Sequence, residues 1–156
     1  MPLESILENK INDAESVLVS RLNLSQNERS ILRKNKPAII IDDTAGVHAA
    51  YDFLNNAYIF SKNAINDVLA VGEEVAHSIR LRLNESARKY LLNPLNQSKE
   101  KMEEYLKNIN MEEYFARLGA LVYANHKGEH KHNKLWSKFE NYAIKLFTHP
   151  FEALSH

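Results

Sequence analysis

Glu73 and His77 lie four positions apart within Ala64 to Leu83, where Ile65, Val68, Leu69, Val75 and Ile79 recur at helical spacing. Four residues make about one helical turn, so the two side chains share a face, one above the other. A carboxylate and an imidazole in that relation can reach one shared metal ion. Glu74, three before His77, occupies the neighbouring part of the same face. Gly72 costs a helix about 1 kcal/mol relative to Ala. It marks either the close approach of another element, the sheet being the first candidate, or plain tolerance.

The elements before this helix position it. Leu3 to Leu22 carries Leu3, Ile6, Leu7, Ile11, Ala14, Val17 and Leu18 near helical spacing. Ser25-Gln26-Asn27-Glu28 has the form of a capping box that opens a second helix, ending near Lys34. Ala38 to Ile41 is a β-branched run between Pro37 and Asp42-Asp43 and predicts a buried strand. Val47 to Phe60 predicts a hairpin, with Phe53 to Asn56 turning and Asn55-Asn56 suited to left-handed backbone. Ser61 or Asn63 is the expected cap of the following helix. Beyond Pro94, helices are expected over Gln97–Asn108, Met111–Asn125 and Lys134–Phe147, with a polar stretch from His126 to Asn133 and a stop at Pro150. The layout is one α+β domain over 1–156: N-terminal helices in 1–35, a small sheet in 38–61, a site helix in 64–83 and C-terminal helices in 97–148.

Val71-Gly72-Glu73-Glu74-Val75-Ala76-His77-Ser78-Ile79 resembles the active-site helix of the zincin metallopeptidases, whose signature is H-E-x-x-H. Glu73 stands where the family has its first His. Ala49 to Ser61 resembles the hairpin before that helix in small gluzincins, including the ImmA/IrrE type. Glu113-Tyr114-Phe115-Ala116 resembles the E-x-x-A segment that supplies their third ligand. The likeness spans roughly Ala38 to Val122 and implies a zincin-like fold. It implies Glu73, His77 and Glu113 as metal ligands and Glu74 as the general base in peptide-bond hydrolysis. It also implies a peptide or protein substrate whose extended backbone pairs with the strand beside the cleft. Zinc is the leading ion. The two carboxylates also suit manganese or iron, and would leave less positive charge to acidify a bound water. An active zinc enzyme, a site for another metal and a metal-free relic all stay open.

Other readings of the same residues stand beside these. Asn110-Met111-Glu112-Glu113 is also a helix-cap pattern, with Glu112 and Glu104 as alternative ligands. Glu73-Glu74 also fits a solvated face, and His77 a hydrogen-bonded, half-buried histidine. Glu129-x-x-His132, with Glu74-x-x-His77 and single acids such as Glu15 or Glu113, would suit a ferritin-like di-metal bundle. However, Glu129 and His130 lie in a loop-like stretch, and a strand is foreign to such a bundle. His48 either lines the cleft or sits on the surface, and Asp42-Asp43 end a strand. Arg80 and Arg82 read as surface ion pairs or binders of a substrate carboxylate. A non-catalytic interaction scaffold is the alternative from another functional class.

Composition narrows the classes. Hydrophobic residues make up 44% and charged residues 26%, as in soluble globular chains. The 20 basic residues balance 20 acidic ones, which argues against a nucleic-acid partner. Zero cysteines exclude disulfides, thiolate metal sites and a thiol nucleophile. Glu4, Glu8, Lys10, Asp13 and Glu15 interrupt the N-terminal stretch, so neither a signal peptide nor a membrane partner is expected, and the reading is cytoplasmic.

Overall fold

A computed structural model of the chain describes residues 2–22, 24–83, 113 and 116–128. The helices expected over Gln97–Asn108 and Lys134–Phe147 lie outside them, as do Glu104, Glu112, Glu129, His130 and His132. The described fold is α+β.

Helix α1 (Leu3–Leu22) buries Leu7, Ile11, Ala14, Leu18 and Leu22, one stripe at three- and four-residue spacing. Helix α2 (Gln26–Lys34) opens with the expected capping box. The Glu28 N–H donates to Ser25 Oγ (3.1 Å) and the Ser25 N–H to Glu28 Oε1 (3.0 Å), so two N-terminal donors find partners.

Strands β1 (Ala38–Ile41), β2 (Ala49–Asp52) and β3 (Ala57–Phe60) form a mixed sheet in the order β1-β3-β2. The β2–β3 hairpin is antiparallel, and β1 runs parallel to β3 with Ile40 opposite Ile59. The hairpin turns on Asn56, whose φ of 48° is left-handed. Its side chain accepts from the Tyr51 hydroxyl (2.6 Å) and donates to the Asn35 carbonyl (3.0 Å), pinning the turn to the end of α2.

Among the described residues the strand order makes β1 an edge, and its alternating exposure corrects the expectation of a buried strand. Ala38 and Ile40 are exposed while Ile39 and Ile41 pack on the core. A β-branched run fits a one-sided edge strand as well as a buried one, and sequence alone does not separate them. Tyr58 and Phe60 of β3 are the largest side chains at the centre, packed with Leu7, Leu18, Val71, Val75 and Ile79.

The single helix expected over Ala64–Leu83 is two elements. Lys62–Asn66 is a 3₁₀ turn, and α3 (Val68–Leu83) begins after Asp67. Asp67 Oδ1 accepts the Ala70 N–H at 3.2 Å, so Asp67 caps α3 in place of Ser61 or Asn63. A carboxylate at the positive end of the helix is favoured over a neutral cap three or more residues earlier. Helix α3 packs on α1, α2 and β2. Glu113 and residues 116–126 are helical and are the described part of helix α4, which runs one residue past the expected Met111–Asn125 element.

Gly72 is where α3 meets α4. A methyl group there would stand 3.0 Å from Ala120 Cα and 3.2 Å from Tyr123 Cδ2. The element that comes close is therefore a helix, and the sheet is not the partner.

Candidate metal centre

Helix α3 supplies three of the four residues in question. Its apolar residues Val71, Val75 and Ile79 turn inward, which leaves Glu73, Glu74 and His77 half-buried on other faces. Glu113, itself helical and at the N-terminal side of α4, is exposed, and its Oε1 lies 3.5 Å from His77 Nε2. Glu73, His77 and Glu113 each offer one ligand atom such that all three atoms lie within 4.8 Å of one another. Only 12% of the His77 side chain is exposed, against 50% for Glu113, so the cluster is sheltered on the helix side and open on the other.

These residues fit a divalent cation. Donors about 2.0–2.2 Å from a shared ion span at most about 4.4 Å, so a rotamer adjustment of a few tenths of an ångström would close the set. An imidazole and two carboxylates are all competent ligands. The alternative role of Glu113 as a cap partner of Asn110 lies outside the described residues.

Glu74 points elsewhere. Its Oε1 accepts the backbone N–H of Tyr51 at 3.0 Å. Among the described residues β2 is the other edge of the sheet, so this N–H is one its ladder with β3 does not use. Burial pushes the Glu74 carboxyl up to about 7. The neighbouring carboxyls of Glu73 and Glu113 act in the same direction, against the pull of His77 and the Tyr51 N–H. A carboxyl poised near neutrality beside a cluster of donors has the properties of a general acid–base group.

Other candidates are placed away from this cluster. His48 Nε2 pairs with Asp67 Oδ2 at 2.9 Å on the surface, so the histidine ties the start of β2 to the cap of α3. Thr44 donates its N–H and hydroxyl to Asp42, and the Lys62 N–H donates to Asp43, so both acids end β1. His126 is exposed near the end of α4.

Arg82 corrects the expectation of a surface ion pair. It is buried, its Nη2 pairs with Glu15 of α1, and its Nε donates to Ser78 Oγ at 2.9 Å. Its Nη1 donates to the Leu32 carbonyl at 3.0 Å. Glu15 precedes it by 67 positions, and no local pattern announces such a pairing. Asp67 was findable, since an Asp three residues before a helical N–H is a cap signal. Asp13 was not, although it accepts from the Tyr123 hydroxyl (2.9 Å) and pairs with Lys127 (3.1 Å), joining α1 to the end of α4.

Among the described residues no helix is long and apolar enough to cross a membrane. No known protein family, curated protein or solved structure matches the chain.

Proposed function

We propose that the chain is a metal-dependent hydrolase of peptide bonds with a zincin-like active site. The observation that carries this reading is the convergence of Glu73, His77 and Glu113 within 4.8 Å, with Glu74 one position along the same helix. Glu73 and His77 would hold the ion from α3, and Glu113 from the N-terminal side of α4. A divalent cation in that place supplies Lewis-acid polarisation of a carbonyl and a lower pKa for water.

Glu74 carries the proton transfers. It takes a proton from the attacking water and returns it to the departing amine, a task that suits a carboxyl near neutrality. β2 is an edge strand among the described residues, and a substrate added along it as a further strand would take over the Tyr51 N–H that Glu74 holds.

One observation favours a second, non-catalytic reading. Glu74 is already bonded to the Tyr51 N–H, a contact that would tie α3 to β2 in a scaffold with no chemistry. The variant Glu74→Gln separates the two, because a glutamine oxygen still accepts that N–H but cannot serve as a base. As a hydrolase, the variant loses turnover of a fluorogenic peptide library by roughly 10²–10⁴-fold while retaining metal and melting temperature. Unchanged turnover, or none in the parent chain with any divalent ion, removes the hydrolase reading.

A further inference from the structure

We infer that the Glu73–His77–Glu113 centre is a hard-metal site, matched to manganese(II) or iron(II) and not specialised for zinc. This rests on the metal-centre reading above and concerns which ion binds. The argument is in the donors. Two of the three ligand atoms are carboxylate oxygens and one is an imidazole nitrogen. Zinc sites are mostly built from nitrogen and sulfur donors in four-coordinate geometry. Carboxylate and water donors favour the harder ions, which take octahedral shells.

Two features of the surroundings agree. Each carboxylate can bind through one oxygen or both, so Glu73 and Glu113 together with the His77 nitrogen can offer up to five donor atoms, more than tetrahedral zinc uses. Half of the Glu113 side chain is exposed, so water has access to complete a larger shell. Charge points the same way. Glu73 and Glu113 together cancel the charge of a divalent ion. Such a field favours ions whose bonding is mainly electrostatic over those that gain from covalency with nitrogen. Position 73 is the discriminating one, because a histidine there would make the set two nitrogens and one oxygen.

Zinc binds almost any nitrogen–oxygen site more tightly than manganese, so the informative quantity is the ratio of the two affinities. The metal-free 156-residue chain would be titrated with Mn²⁺, followed by the paramagnetic resonance of the free ion, and with Zn²⁺ in competition calorimetry. The same measurements on Glu73→His should show the zinc-to-manganese ratio rising on the order of tenfold or more. A ratio that stays level or falls overturns the inference while leaving a metal centre in place. If Glu73→His does not fold, Glu73→Gln decides: manganese binding should weaken more than zinc binding, and equal weakening overturns the inference. Uptake of neither ion by the parent chain overturns the centre itself. Hydrolysis is not read here, so a chain that binds manganese but cleaves nothing counts against the hydrolase reading alone.

Discussion

Helix α3 holds two charged clusters that solve the same electrostatic problem in opposite ways. At its C-terminal end Arg82 is buried with its partners built in: Glu15, Ser78 and the Leu32 carbonyl all lie on the protein. Two turns earlier, Glu73 and Glu113 bring two like charges to one imidazole. Burying a charge is tolerable only when it is matched and hydrogen-bonded, and the Arg82 cluster meets that condition. The Glu73 cluster gathers acids where a cation would relieve their repulsion. One cluster is a fastening and the other has the form of a receptacle.

Breaking the fastening should have the larger effect. Arg82→Ala leaves the Glu15 carboxylate, 20% exposed, without its cation. A loss of about 3–5 kcal/mol is expected in chemical denaturation. A loss below about 1 kcal/mol would mean that this end of α3 is no more committed than a surface pair.

Filling the receptacle should stabilise. Mn²⁺ at a hundredfold excess over its dissociation constant should add about 2.7 kcal/mol, read as a rise in melting temperature. The rise should vanish in Glu73→Ala and persist in a variant of the distant pair, His48→Ala. A rise that survives Glu73→Ala would place the ion elsewhere.

Gly72→Ala tests the packing of α3 on α4 beside the Glu73 cluster. The added methyl meets backbone at Ala120, which cannot rotate away. A net loss of roughly 1–2 kcal/mol is expected in denaturant titrations, even though alanine is the better helix former. A neutral or stabilising result would show that α4 yields easily.

The smallest effect concerns the cap of α3. Burial works upward on the Asp67 carboxyl, but its bonds from His48 and the Ala70 N–H prevail and hold it below the usual carboxylate range. A lowered folded value means that the stabilisation is present above the unfolded value and is lost as pH falls through the folded one. Asp67→Asn keeps a good cap, so it should flatten that acid-side decline with a change under about 1 kcal/mol. An unaltered acid limb of the stability curve would remove Asp67 from the account.

The legible parts of the fold were those written in short range. The stripe from Leu7 to Leu22, the Ser25–Glu28 box and the turn at Asn56 each depend on residues within one element. The misread parts depend on neighbours far along the chain. β1 is an edge because β3 sits between it and β2, and Arg82 is buried because Glu15 and the Leu32 carbonyl receive it. At the site, the Glu73–His77 spacing follows from helical geometry alone. Glu113 came from a resemblance, and its approach to His77 depends on how α4 meets α3. The role of Glu74 as a brace on Tyr51 had no sequence signal, because a backbone N–H on a strand edge carries no residue-type signature.

The bare position at 72 has a consequence for reach. It sets how near the fourth helix can lie, and Glu113 approaches His77 from the N-terminal side of that helix. One hydrogen in place of a carbon therefore governs whether a donor from a remote stretch closes the circle. A homologous chain with a bulky residue there would have to find its third acid from somewhere else.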